Sequence, residues 1–311
     1  MAAGGRTTWD AWLVAGAAGA AGLTALHSAV PNGAGRLGSL LETFLPWLGL
    51  AVPVLGVASL CARSGAGLLA CLAPAVVWCW MFGGLWFPSS PDPHDLRVVQ
   101  HNVADDDPDP AGTARALLAS GAGLVAVQEL TPPARPRYED VLGASHPHRA
   151  VRGTVGLWSA WPLSDVRPVD IRPQGFPESW RRGLRATVSA PGGRVAVYVV
   201  HLPSVRLGAT GLASAARDES AALLGARIAD DPAPRLLLLG DLNGTVHDRG
   251  LGPLTSRLSA PASGFAFSWP SALPVAGIDQ VLGRGVEVTR VSALGATGSD
   301  HRPVLGRVRL R

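Results

Sequence analysis

The sequence predicts a layered α/β domain preceded by about three transmembrane helices. Three observations predict it: an abrupt change of composition near residue 90, a set of strand-length apolar runs after it, and helix signals placed between those runs. Apolar residues make up 47% of the 311-residue chain and mean hydropathy is +0.23, a high value for a wholly soluble protein. The excess lies at the front. Between Asp10 and Pro91 the only charged residues are Arg36, Glu42 and Arg63. The boundary is therefore placed at 90, with a membrane anchor over 1–90 and a second domain over 91–311.

Three apolar stretches are read in the front section, near 11–30, 45–62 and 66–87. A helix needs about 20 apolar residues to cross the hydrocarbon core, and the third stretch has that length without a charge. It also carries Trp78, Trp80, Phe82, Trp86 and Phe87 towards its end, as an interfacial collar does. The second contains Pro46 and Pro53, residues tolerated in membrane helices. The first is mostly Ala and Gly, and a signal peptide is the rival reading of it because Arg6 precedes it. With three spans, Arg6 and Arg63 share a side opposite Arg36 and Glu42. The positive-inside bias then predicts a multi-pass cell-membrane protein with its large domain extracytoplasmic.

From Leu96 the apolar runs become short. Those at 96–101, 124–128, 195–200, 235–239 and 278–282 are strand-length and rich in aliphatic residues. Asp109 and Pro110 form an N-cap and first-turn pair for a helix between the first two runs. A second helix is read over 212–229, and the Pro-rich 88–93 is the linker. Every basic residue is Arg, and from Asp95 onward 24 arginines face 20 acids. So small an excess does not by itself name nucleic acid as the partner. Cys61, Cys71 and Cys79 all lie in the front section, so the second domain cannot rely on disulfides.

Each apolar run ends in, or beside, polar residues unsuited to a core. In order these are Gln100-His101-Asn102-Val103, Gln128-Glu129, His201-Leu202, Gly240-Asp241-Leu242-Asn243, Ile278-Asp279-Gln280-Val281, and Ser299-Asp300-His301-Arg302-Pro303-Val304. A carboxylate buried alone is costly, so six such places imply strand ends converging on one polar cleft. The donors are mainly oxygens, with two histidines and no cysteine. Such a set suits Mg²⁺, with Mn²⁺ or Ca²⁺ as alternatives, better than zinc.

Taken together, the six segments resemble the endonuclease/exonuclease/phosphatase superfamily, also called deoxyribonuclease-I-like. The resemblance covers about 96–310 and implies a four-layer α/β/β/α sandwich with its site at one rim. It implies Glu129 as the main metal ligand, helped by Asn102 and Asp300. It implies that Asp241 and Asn243 orient the attacking water, with Asp241 as general base, and that His301 faces the phosphate while Asp279 fixes an imidazole tautomer. For His201, protonating the leaving oxygen, binding phosphate and a purely structural place all stand open. Arg181, Arg182 and Arg185 fit either a phosphate cleft or a solvated strand edge, Arg185 being taken as the substrate ligand. Trp269 fits either a substrate contact or the core. Where many members have a run like Leu-Ser-Arg-Tyr-Pro, this chain has Trp158-Ser159-Ala160-Trp161-Pro162, so the arginine and tyrosine are replaced and the resemblance does not assure a tyrosine contact to phosphate.

The expected function is a membrane-anchored, divalent-metal-dependent phosphoesterase, endonuclease/exonuclease-like, acting on phosphodiester or phosphomonoester bonds. A phospholipid or sphingolipid phosphodiesterase, a phosphatase of small phosphate esters, and a non-catalytic phosphate-binding membrane scaffold are the alternatives. The partners expected are the phosphoester itself (nucleic acid, lipid head group or small ester) and the membrane; no protein partner is inferred.

Overall fold

The computed structural model describes residues 3–33, 35–86 and 94–311. Two compact units divide the chain, Met1–Phe87 and Pro88–Arg311. The expected boundary at 90, the Pro-rich linker 88–93 and Phe87 of the aromatic collar lie outside the described residues.

The first unit is helical: α1 (Ala3–Ala25), α2 (Leu37–Thr43), α3 (Ala51–Cys61), α4 (Gly65–Ala70) and α5 (Leu72–Trp86). The expectation of three spans, and with it multi-pass membrane placement, is overturned here. Among the described residues one helix, Gly65–Trp86, is long and apolar enough to cross a membrane. The second expected stretch, 45–62, is Leu45–Cys61, which does not pass this test by itself. It passes only together with the preceding Leu37–Thr43, from which it is bent by 70°. The first stretch forms α1, whose Ala and Gly contribute little of the transfer free energy that Leu, Ile, Val and Phe supply. Without three spans the charge argument for an extracytoplasmic domain has no basis.

The second unit runs β1 (Leu96–Asn102), α6 (Pro110–Ala119), β2 (Leu124–Gln128), α7 (Arg135–Leu142), β3 (His148–Arg152), β4 (Val155–Ser159), β5 (Leu163–Pro168), β6 (Gly183–Ala190) and β7 (Gly193–His201). A two-residue-strand hairpin follows, β8 (Leu207–Gly208) with β9 (Gly211–Leu212). The chain then forms α8 (Ala215–Ala229), β10 (Leu236–Asp241), α9 (Gly252–Thr255), β11 (Asp279–Arg284), β12 (Val286–Ala293) and β13 (Val304–Leu310). One sheet has the order β12-β13-β1-β2-β4-β3, the other β11-β10-β7-β6-β5. The N-cap read for α6 is present, with Asp109 accepting the Gly112 N–H at 2.8 Å.

Side-chain alternation builds the layers. Val98, Leu124, Leu157, Leu184, Val197, Val199, Leu237, Leu239 and Val281 form the core between the sheets. On the outer side of the first sheet, Val99, Val125 and Val127 pack with Leu117, Tyr138 and Leu142 of α6 and α7. On the outer side of the second, Tyr198, Val200, Leu236 and Leu238 pack with Leu224 and Ile228 of α8. Strands covered on both faces must be apolar at every position, which is why the central runs read as continuous rather than alternating. The four layers are thus helix, sheet, sheet, helix.

The outer face of β6 carries a buried ionic cluster. Asp231 accepts from Arg185 Nε at 3.0 Å, Tyr198 Oη at 2.7 Å and the Ala233 N–H at 2.9 Å, while Arg185 also meets Asp165 and Thr187. Burial alone would raise the Asp231 carboxyl, but these donors and the Arg185 charge outweigh it and hold the group at about 2. A depressed carboxyl pKa gives stability that is present above the unfolded value of about 3.9 and is lost as pH falls through the folded one. The unfolding free energies of wild type and Asp231→Asn should therefore differ most above about pH 4 and converge towards about pH 2. Urea titrations across that range check it; a constant difference would contradict it.

Candidate active site

Strand register assembles the site. Asp241 at the end of β10 sits opposite His201 of the parallel neighbour β7 and opposite Asp279 of the antiparallel neighbour β11. All three continue the inward-facing series Val199, Leu239 and Val281, so their side chains leave the apolar interior at one rim. Gly240 lets β10 approach β7, since a Cβ there would stand 2.0 Å from the Val200 carbonyl oxygen. In the facing sheet, Asn102 ends β1 opposite Gln128, and Glu129 follows directly. Asp300 and His301 precede β13, which pairs with β1.

The side chains meet. The Asn102 amide donates to Glu129 Oε1 at 3.1 Å and to Asp241 Oδ2 at 3.0 Å, joining the two sheets' carboxylates. Its carbonyl accepts the Ala104 N–H at 3.1 Å, and Glu129 Oε2 accepts the Asp105 N–H at 3.1 Å. His201 Nε2 lies 3.5 Å from Asp241 Oδ2 and 3.8 Å from Glu129 Oε1. His301 Nδ1 is 2.7 Å from Asp279 Oδ2, while its Nε2 is 3.8 Å from Asp241 Oδ2. The backbone around the cleft is unusual. Ala104, Glu129 and Asn243 have φ of 62°, 59° and 48°, a region that non-glycine residues rarely adopt and that clusters at functional sites.

Two polar devices hold this rim. Ser299 Oγ donates to the Asn102 carbonyl at 2.7 Å and accepts the His301 N–H at 3.0 Å. Arg217, fully buried on α8, donates to the Asn243 carbonyl at 2.8 Å and pairs with Asp218 and Asp248. Neither residue stands out in the sequence: Ser299 reads as part of a loop motif and Arg217 as an ordinary helix arginine.

Charge is distributed unevenly. Burial pushes the Asp241 carboxyl well above its usual range. Burial also opposes ionised Asp279, but the adjoining His301 outweighs that and keeps this carboxyl low. His301 is desolvated too, yet Asp279 and Asp241 raise it to about 10, so it carries a proton at neutral pH. His201 is held well below its ordinary value by burial and by the neighbouring Arg182, and is neutral.

Of the expected site residues, Asn102, Glu129, His201, Asp241, Asp279 and His301 converge directly. Asn243 adjoins them through its N–H, which donates to Asp241 Oδ1 at 2.9 Å, while its side-chain amide donates to the Leu202 carbonyl at 3.0 Å. Asp300 is on the exposed lip, 4.0 Å from His301 Nε2, and accepts from the Trp269 indole at 3.2 Å. Trp269 is 38% exposed and so lies at the lip rather than in the core. Arg185 is not part of the site. It points to the opposite face of β6, buried and satisfied by Asp231 and Asp165, because alternation along the strand sends it outward while Leu184 and Ala186 face the core. Arg182 stands beside His201 instead, at 3.0 Å from its Nδ1.

The ligand atoms of Asp241, Asp279 and His301 lie within 4.8 Å of one another, a spacing able to hold a divalent cation. The donor set, hard oxygens and imidazole without thiolate, fits such an ion once His301 gives up its ring proton. A cation would also relieve the desolvated Asp241 carboxylate.

A sequence profile of the Endonuclease/Exonuclease/phosphatase family matches residues 80–301. No curated protein sequence matches the chain. Among solved structures, beta toxin from Staphylococcus aureus is similar at 13% identity and TM-score 0.58, over 70% of this chain and 100% of that one. Sphingomyelinase C from Streptomyces griseocarneus is similar at 18% identity and TM-score 0.54, over 69% and 99%. D. rerio TDP2 complexed with a single-strand DNA product is similar at 16% identity and TM-score 0.54, over 69% and 98%. At these identities the likeness concerns the fold.

Proposed function

The chain belongs to the Endonuclease/Exonuclease/phosphatase family, and on that premise we propose that it is a divalent-metal-dependent phosphoesterase cleaving phosphodiester or phosphomonoester bonds. The observation that carries this reading is the joining of Glu129, Asn102 and Asp241 across the two sheets, beside the His301–Asp279 pair. Glu129, helped by Asn102 and Asp300, would hold the ion, with Mg²⁺ the first choice because the donors are oxygens. The ion supplies charge neutralisation at the phosphoryl group.

Asp241 acts as general base towards an attacking water. Its burial-raised carboxyl suits that role, since a base works best with a pKa near the working pH. Asn243 lies two residues on, with an N–H that fixes Asp241 Oδ1. His301 donates from Nε2 to a phosphoryl or leaving oxygen, and Asp279 keeps the ring turned that way through Nδ1. A second placement of the ion, on Asp241, Asp279 and His301, is favoured by the 4.8 Å grouping of their ligand atoms. The two placements differ in outcome. Glu129→Gln raises the metal concentration needed for half-maximal activity if the first holds, and Asp279→Asn does so if the second holds.

Among substrates, nucleic-acid phosphodiesters are proposed first, since one structural neighbour is described with a single-strand DNA product. Another neighbour is a sphingomyelinase, and fold does not choose between these classes. Gly65–Trp86 would anchor the chain to a bilayer. The test is hydrolysis by the full-length chain of single- and double-stranded DNA, RNA, sphingomyelin, phosphoinositides and a small phosphate ester, with Mg²⁺, Mn²⁺, Ca²⁺ or EDTA. Turnover that EDTA abolishes supports the proposal; no metal-dependent turnover on any of them overturns it.

A further inference from the structure

Arginines of the second unit are withdrawn from solvent to different degrees, and they differ in what answers their charge. Arg185 is neutralised by Asp165 and Asp231, and Arg217 by Asp218 and Asp248. Arg182 is also partly buried; among the described residues it makes no ion pair within 4.0 Å, but its charge is felt by the site carboxylates Glu129 and Asp241 and by Asp105. A guanidinium that faces the carboxylates of the site but is bonded to none of them keeps N–H donors for an anion supplied from outside.

Its surroundings fix its position. The Arg182 carbonyl accepts the His201 N–H at 2.9 Å, locking the residue beside β7. The guanidinium then lies against the His201 ring, with Nη1 3.0 Å from Nδ1 and 3.3 Å from Nε2. On another side it stacks over the Trp180 indole, 5.3 Å from the ring centroid. His201 Nε2 is in turn 3.5 Å from Asp241, so one ring separates this cation from the reacting carboxylate.

We propose that Arg182 is a substrate-binding residue that holds a non-bridging oxygen of the phosphoryl group. The reading rests on the phosphoesterase proposal above. A guanidinium offers five N–H donors in a planar fork that matches phosphate oxygens, and the contact with His201 uses only Nη1. An ammonium has neither the fork nor the flat face that packs on Trp180, so lysine is a poor replacement.

The experiment compares full-length wild type, R182Q and R182K by turnover of bis(p-nitrophenyl) phosphate, by calorimetric titration with inorganic phosphate in the presence of Mg²⁺, and by thermal midpoint. R182Q is expected to lower kcat/KM by about 100-fold, the loss typical of removing one donor to a developing anionic centre. It should also weaken phosphate binding at least about tenfold, with the Mg²⁺ requirement and thermal midpoint unchanged; R182K restores only part of both. Phosphate affinity and kcat/KM within about twofold of wild type in R182Q would overturn the inference, as would a wild type that binds no phosphate. A shift confined to the Mg²⁺ requirement would overturn it too, placing Arg182 in support of the metal site. If wild type binds phosphate but turns nothing over, the phosphoesterase reading fails while the comparison of phosphate affinities still decides the role of Arg182.

Discussion

Asp241→Asn in the full-length chain is expected to reduce kcat for metal-dependent hydrolysis by about a thousandfold, with KM little changed. Positioned acid–base groups contribute on that order, and the loss should fall on kcat because the group acts in the transition state. Asparagine keeps the size of the side chain and an oxygen able to accept the Asn243 N–H at the Oδ1 position. It removes the proton acceptor and the charge facing His301. The fold should survive, because a buried carboxylate whose pKa is raised by desolvation does not contribute its charge favourably to folding. An unchanged circular dichroism spectrum with lost turnover is the expected pair of results. Turnover within about tenfold of wild type would remove Asp241 from the role of base.

Arg217→Met should destabilise the second unit by about 3–5 kcal/mol, because it leaves the buried Asp248 carboxylate without its partner. The arginine fills space that the chain clears for it: a Cβ on Gly244 would lie 2.1 Å from Arg217 Nη1. Methionine retains part of the stem packing and none of the hydrogen bonds. The double variant Arg217→Met with Asp248→Leu removes both charges and should recover much of the loss, as replacing whole buried pairs usually does. Urea unfolding of the single and double variants measures this. Equal stabilities for wild type and Arg217→Met would show that the pair is not needed.

What could be read from the sequence, and what could not, follows from the range of the forces involved. The central strands were legible because covering both faces forces a run such as Leu236–Leu239 to be apolar throughout. The site was legible for the complementary reason: Asn102, Glu129, His201, Asp241 and Asp279 each stand at or beside a strand terminus where an apolar run stops. Strands β3, β4, β5, β6, β12 and β13 escaped the reading; of these β3 and β5 carry arginines, or Asp and Pro, and lie at sheet edges. Arg185 was misplaced because side-chain direction depends on strand phase. One residue of register separates the inner face from the outer, and Arg182 and Arg185 are too close in sequence to be told apart by composition. The front section misled because apolar content can be read from sequence while helix continuity cannot. Leu45–Cys61 reaches the length of a span only by joining Leu37–Thr43 across a 70° bend.

The central claim is that Glu129 and Asn102 of one sheet and Asp241 of the other work as a single metal-dependent centre for phosphoester hydrolysis. It is tested most directly by measuring the rate of phosphodiester hydrolysis against Mg²⁺ concentration for full-length wild type and Glu129→Gln. The expected result is saturable activation of wild type, abolished by EDTA, with Glu129→Gln needing at least about tenfold more Mg²⁺ for half-maximal rate. Superimposable Mg²⁺ curves for the two proteins, or hydrolysis by wild type that persists in EDTA, would contradict it.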